Sequence, residues 1–166
     1  MGIQADVAKQ AGVAVRPVTG ALGAEIFGID PQGRVGDAEV EAIRRALLDH
    51  HVVFFRNLDL DPVAQTAFGA KFGVLEDYPF VKPLPKHPKI IPVIKEADEV
   101  TNFGGGWHTD LIYRPVPPLG TMLYAVEVPQ RGGDTMFADG VLAWRGLSAR
   151  MQQLLSTLSV VYSVRH

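Results

Sequence analysis

Two residues in the middle of the chain, His108 and Asp110, are spaced so that their side chains could act together. If the backbone is extended there, residues two apart project from the same face, and an imidazole and a carboxylate converge. Such a pair supplies two ligands of a 2-His-1-carboxylate facial triad, which holds non-haem Fe(II) and leaves positions open for a 2-oxo acid and O₂. The competing interpretation is a surface histidine hydrogen-bonded to a neighbouring aspartate.

Three glycines, 104–106, lie just before this pair. Such a run permits close approach of the backbone to a site, and it is equally compatible with a flexible turn. Neither a Gly-Lys-Ser/Thr ending nor a strand followed by G-x-G-x-x-G and a helix is present. The glycines are therefore not interpreted as a phosphate loop.

Length and composition bound the kind of protein that carries these residues. The 166 residues are 47% apolar and 20% charged with a formal net charge of −2, which predicts one globular domain over 1–166 and a small-molecule ligand. Neither nucleic acid nor a membrane is an expected partner, and we expect a cytoplasmic location. The absence of cysteine excludes thiolate metal sites, disulfides and cysteine nucleophiles within this sequence.

The first half of the chain predicts short strands and two helices. β-branched residues and glycines over 13–29 predict strands joined by tight turns. Residues 36–51 form an amphipathic pattern with Asp37 as the expected cap, and 51–55 reads as a buried strand. Asp61 followed by proline predicts the start of a second helix.

The second half predicts a long loop, two strands and two closing helices. The prolines of 78–98 indicate the loop, which leads into an edge strand over 89–96. Period-two alternation predicts a strand over 121–128 with one apolar face. Asp139 and Ser148 are the expected caps of the two helices.

The segment GGGWHTDLIYRPVPPLGTMLYAVEVPQRGGDTMFADG, residues 104–140, closely resembles the core of the taurine dioxygenase (TauD/TfdA-like) family of Fe(II)- and 2-oxoglutarate-dependent oxygenases. W-H-x-D, P-P-x-G, L-Y-A and G-G-D-T occur there in the order and spacing of that family. Residues 23–30 and the segments around 50–57 and 60–73 are similar to its N-terminal portion. The resemblance extends from about residue 13 to about residue 163.

The resemblance implies an α+β fold with a double-stranded β-helix (jelly roll) core and flanking helices. This sequence would be the N-terminal portion, with the C-terminal β portion missing, and with it the third iron ligand and the arginine that binds 2-oxoglutarate. His108 and Asp110 would bind Fe(II), and Thr135 would hydrogen-bond a carboxylate of 2-oxoglutarate. From the residues alone, Thr135 is equally a threonine that satisfies a turn.

The resemblance also bears on the substrate. Tyr78, Asn102 and Trp107 are candidates for the substrate pocket, although each is equally an ordinary loop or wall residue. The family's histidine and asparagine for taurine are replaced here, so we expect another small sulfonate, a sulfate ester or a carboxylate. Asp110 fills the place where related halogenating oxygenases have a small residue, which favours hydroxylation with formation of succinate and CO₂.

Two other functions stay open at the level of the sequence. One is a non-catalytic binding or assembly module with a degenerate oxygenase fold, and the other is a Zn²⁺-dependent hydrolase that uses the same histidine and aspartate. Metal dependence would separate them from the dioxygenase. Assembly into homo-oligomers is also left open.

Overall fold

The computed structural model describes residues 8–96, 98–100 and 103–162. These residues divide into two compact units. The first comprises the described residues up to Asp59 together with Ala125–Ser159, and the second comprises those of Leu60–Tyr124 with those from Val160 onward. Within the described ranges, none of the helices combines the length and apolar character that crossing a bilayer requires.

A four-stranded sheet forms the framework of the first unit, in the order β1 (Ala8–Gln10), β2 (Val13–Pro17), β3 (Ala24–Phe27) and β4 (Val53–Phe54). The first three strands are antiparallel, and β4 runs parallel to β3. Ala11 and Gly12, at φ 52° and 82°, join β1 to β2. Two successive positive φ angles are typical of the tight turns whose twist matches a hairpin. The predicted strands within 13–29 are confirmed.

Helix α1 (Asp37–His50) connects β3 to β4 and contacts β2, β3 and β4. The predicted helix is confirmed, but the prediction of Asp37 as its cap is wrong. Gly36 is the N-cap, and its N–H donates to the Glu39 carboxylate at 2.6 Å. A side chain three residues into the helix thus replaces the cap that the sequence suggested. The core of this unit consists of buried apolar residues of the sheet, of the helix and of the segment just before the helix, namely Val13, Ala24, Ile26, Val35, Ala42, Ile43 and Ala46.

Three shorter helices begin where predicted, and the caps predicted for the last two are confirmed. Asp61 accepts from the Ala64 N–H at the start of α2 (Pro62–Ala70), which belongs to the second unit. Asp139 and Ser148 cap α3 (Gly140–Arg145) and α4 (Ala149–Leu155) in the first unit.

Three strand predictions differ from the structure. Strand β4 is confirmed, but Val53 and Phe54 are half-buried rather than buried, because β4 is an edge strand that pairs with β3 alone among the described strands. Residues 89–96 and 121–128 form no strand within the described residues. Alternation of apolar and polar residues indicates which face of a strand would be apolar. A strand forms only where a second backbone segment pairs with it.

Candidate metal centre

The side chains of His108 and Asp110 meet in the second unit. His108 Nε2 lies 3.2 Å from Asp110 Oδ1, and each side chain is about half exposed, at 53% and 51%. The backbone is not a strand here: Asp110 lies in a turn and Leu111 has φ 51°. The two side chains therefore converge at a bend, where the spacing had suggested an extended segment.

Each member of the pair has a second contact that fixes its orientation. His108 Nδ1 lies 2.8 Å from the Gly106 carbonyl oxygen. Because a carbonyl oxygen only accepts, we assign the proton of this contact to Nδ1, which leaves Nε2 facing Asp110. The Thr121 hydroxyl donates to Asp110 Oδ2 at 2.6 Å. The imidazole and the carboxylate are thus each hydrogen-bonded through the atom that is not in contact with the other.

The backbone of Gly104 approaches the histidine ring closely. Gly104 has φ +67°, and a Cβ built there would lie 3.0 Å from His108 Cε1. Both the left-handed backbone and the short distance favour glycine at this position. Of the two interpretations of the glycine run, close backbone approach describes Gly104.

An open hollow of about 480 Å³ surrounds the pair and is walled mainly by aromatic rings. The rings of Tyr78 and Phe80 pack edge to face with centroids 5.5 Å apart, and those of Phe80 and Tyr113 do so at 6.4 Å. All of the lining residues belong to the second unit: Tyr78, Phe80, Phe103, Gly104, Trp107, His108, Thr109, Asp110, Leu111, Ile112, Tyr113 and Tyr162.

Arg114, the residue after Tyr113, belongs to a network of charged side chains. Arg114 pairs with Glu76 and also donates to the Asp77 carbonyl oxygen at 3.3 Å. The hydrogen bond to Glu76 raises the pKa of the Arg114 guanidinium above its ordinary value. Lys89 pairs with the Asp77 carboxylate at 2.8 Å. These contacts connect residues 76–77, 89 and 114 within the second unit.

The geometry of the pair fits a divalent cation. Two ligand atoms at adjacent corners of an octahedron around a first-row metal ion, each about 2.1 Å from it, are about 3.0 Å apart. The observed separation of 3.2 Å between Nε2 and Oδ1 is close to that value. Imidazole and carboxylate are ligands that Fe(II) accepts. Among the described residues no group of three or more His, Cys, Asp or Glu side chains gathers at one point, so this pair by itself would offer a metal two ligands.

The other predicted site residues are placed differently. Tyr78 and Trp107 line the hollow together with His108 and Asp110, and Trp107 is 71% exposed. Asn102 lies outside the described residues. Thr135 is exposed in the first unit, and its side chain makes no hydrogen bond to any described residue. Its hydroxyl does not satisfy a turn in the described part of the chain.

Sequence reasoning missed several residues at this site. Phe80 and Tyr113 belong to the aromatic wall, and their signal was weak: one aromatic residue two positions after Tyr78 and another three positions after Asp110. The contact of Thr121 with Asp110 spans eleven residues and a proline-rich loop. No local pattern predicts a contact of that kind.

Comparison with known proteins shows which family and which relatives this chain is similar to. Residues 14–166 match the family model described as "Taurine catabolism dioxygenase TauD, TfdA family". The alpha-ketoglutarate-dependent sulfonate dioxygenase of Saccharomyces cerevisiae is 34% identical over 160 residues, which cover 90% of this chain and 39% of that protein. The alpha-ketoglutarate-dependent sulfate ester dioxygenase of Pseudomonas putida is 32% identical over 157 residues, covering 90% and 49%.

The crystal structure of a taurine dioxygenase from Burkholderia xenovorans is similar to this chain with a TM-score of 0.74 and 32% sequence identity, covering 87% of this chain and 51% of that one. Most of this chain thus has a counterpart in a solved structure. The chain spans about half, or less, of the length of the curated relatives named above.

Proposed function

Because this chain belongs to the taurine catabolism dioxygenase TauD, TfdA family, we propose that it forms the metal-binding part of an Fe(II)- and 2-oxoglutarate-dependent dioxygenase. The observation that carries the proposal is the 3.2 Å approach of His108 Nε2 to Asp110 Oδ1, inside the matched segment. A hydrogen-bonded surface pair would account for the distance alone. It would not account for the W-H-x-D context or for the aromatic hollow around the pair.

In this proposal each residue has a separate task. His108 and Asp110 bind Fe(II), and the hydroxyl of Thr135 donates to a carboxylate of 2-oxoglutarate. Fe²⁺ with one carboxylate carries a net charge of +1, which suits a dianionic 2-oxo acid. When bound, iron and 2-oxoglutarate supply the chemistry by which O₂ converts a substrate C–H to C–OH, with succinate and CO₂ as co-products.

The proposed substrate is a small organic sulfonate, sulfate ester or carboxylate. The names of the yeast and Pseudomonas relatives refer to sulfonates and sulfate esters. Tyr78 and Trp107 present aromatic surface to the hollow, where the organic part of such a substrate would lie beside the metal.

We further propose that the family's double-stranded β-helix forms in the whole protein, with residues 1–166 as part of that one domain. A cytoplasmic location and assembly into homo-oligomers stay predictions.

The test is metal binding by the full-length protein that contains this sequence, without O₂. We expect Fe(II) to bind in the presence of 2-oxoglutarate, and His108→Ala or Asp110→Ala to weaken binding at least ~100-fold, because each removes a ligand. His51→Asn is the matched control, since His51 forms a similar pair with Asp139 at 3.5 Å in the first unit. Asparagine also tolerates the φ of 65° at that position.

Other outcomes of this titration would contradict the proposal. Zn²⁺ retained equally well without 2-oxoglutarate would favour the hydrolase. No metal bound under any condition would favour the binding module. Fe(II) binding that both alanine variants preserve would show that His108 and Asp110 are not the ligands.

A further inference from the structure

The two oxygens of the Asp110 carboxylate contact different residues. Oδ1 faces His108 Nε2 at 3.2 Å, whereas Oδ2 accepts the hydroxyl hydrogen of Thr121 at 2.6 Å. A hydroxyl has one hydrogen to donate, so this contact occupies Oδ2 with a single directed bond. The oxygen that lies beside the imidazole is the one without that bond.

The contact also restricts how the carboxylate can turn. Thr121 is β-branched, and its side chain has few rotamers. The segment between the two residues contains Pro115, Pro117 and Pro118, whose fixed φ angles limit the loop that joins them. Because Oδ2 accepts a hydrogen bond from Thr121, rotation of the Asp110 carboxylate about its Cβ–Cγ bond would break that hydrogen bond.

We propose that Thr121 is a positioning residue, which holds the Asp110 carboxylate so that Oδ1 and His108 Nε2 are presented together to a divalent metal ion. This inference rests on the proposed function, because it assigns Thr121 a role toward the same metal. Hydrogen bonds from neighbouring groups to ligating carboxylates orient those ligands and strengthen metal binding.

A structural role for Thr121 is the alternative. In that case the hydrogen bond closes the loop 110–121 and stabilises the fold whether or not metal is present. The two roles differ in a measurable way. A structural tie affects the unfolding of the metal-free protein, whereas a positioning contact affects the affinity for metal and the stabilisation that metal provides.

The experiment compares Mn²⁺ binding, in the presence of 2-oxoglutarate, by four forms of the full-length protein: wild type, Thr121→Val, Thr121→Ser and Thr66→Val. Valine replaces the hydroxyl by a methyl group of similar size, and serine restores the hydroxyl. Thr66→Val is the matched control, because the Thr66 hydroxyl also donates a hydrogen bond of 2.7 Å in the second unit, to the Pro62 carbonyl oxygen. Bound Mn²⁺ is followed by the loss of the free-ion electron paramagnetic resonance signal.

We expect Thr121→Val to weaken Mn²⁺ affinity about 10-fold, the lower end of the range for such contacts. Thr121→Ser and Thr66→Val should bind Mn²⁺ like the wild type. Thermal unfolding of metal-free Thr121→Val should match that of Thr66→Val, whereas added Mn²⁺ should raise its unfolding temperature less. If Thr121→Val does not fold, Thr121→Ala compared with Thr121→Ser decides in the same way.

Wild-type affinity in Thr121→Val, or equal weakening in the valine and serine variants, would overturn the role of Thr121 while the proposed function stands. Failure of the wild type itself to bind Mn²⁺ through His108 and Asp110 would overturn both.

Discussion

The His108 ring is confined on three sides by nearby groups. Asp110 Oδ1 faces Nε2 at 3.2 Å, the Gly106 carbonyl oxygen faces Nδ1 at 2.8 Å, and the Gly104 backbone lies against Cε1. A ring held in this way keeps one nitrogen directed toward the proposed metal position. Preorganisation of this kind reduces the cost of ordering a ligand when the metal binds.

Gly104→Ala tests this confinement. The added Cβ would meet His108 Cε1 at 3.0 Å, and φ +67° disfavours a side chain. We expect a loss of about 1 kcal/mol in the free energy of unfolding, together with weaker Fe(II) binding. Gly20→Ala, outside the site, is the control, because nothing lies within 4 Å of a Cβ built there. Equal effects of the two substitutions, measured by urea unfolding and metal titration, would contradict the account.

The convergence of His108 and Asp110 could be anticipated from their spacing, whereas the contact with Thr121 could not. The prediction relied on an extended backbone, however, and the structure brings the two side chains together at a bend instead. The position of Thr121 depends on the path of residues 111–120, and no local propensity determines that path. The role of Thr135 stays a prediction.

Strands β2 and β3 are joined by a charged cluster, defined here as Arg16, Glu25 and Arg56. Arg16 and Glu25 are register partners, and Arg56 Nε donates to Glu25 Oε1 at 3.0 Å. The guanidinium groups lie over the rings of Phe27 and Phe54, at 5.0 and 5.2 Å from their centroids. The hydrogen bonds from Arg16 and then Arg56 hold the pKa of the Glu25 carboxyl below its ordinary value.

The lowered pKa of Glu25 predicts a pH dependence of stability. A carboxyl that is more acidic in the folded than in the unfolded state stabilises the fold above its unfolded pKa, and this contribution is lost as pH falls through the folded pKa. Glu25→Gln should therefore be less stable than the wild type at pH 7, and the difference should shrink in acid. Urea unfolding at pH 7 and pH 3 measures this difference in the free energy of unfolding. Glu41→Gln, at an exposed position of α1, is the control. A difference between Glu25→Gln and the wild type that does not change with pH would contradict the assignment.

Helix starts were the most predictable elements of this fold. Asp61, Asp139 and Ser148 each accept backbone N–H groups as their residue types suggest, because capping depends on a few adjacent residues. The strand predicted over 121–128 failed for the opposite reason. Pairing depends on a distant segment, and within the described residues none pairs with it.

At the scale of the molecule, the buried apolar side chains are unevenly distributed along the described chain. All nine buried hydrophobic residues lie between Val13 and Phe68, whereas no residue of 103–162 is buried. Many large apolar side chains of that later region are exposed, among them Leu123 at 71% and Val126 at 87%. The best-packed part of the structure is therefore separate in sequence from the segment that carries His108 and Asp110.

Succinate formation tests the central claim most directly. The full-length protein would be supplied with Fe(II), 2-oxoglutarate and O₂, with or without candidate sulfonates, sulfate esters and carboxylates. We predict that at least one of these compounds stimulates succinate release, and that Asp110→Ala abolishes the stimulated release. Succinate release that Asp110→Ala leaves unchanged, or none above the iron-free control with any compound, would contradict the account.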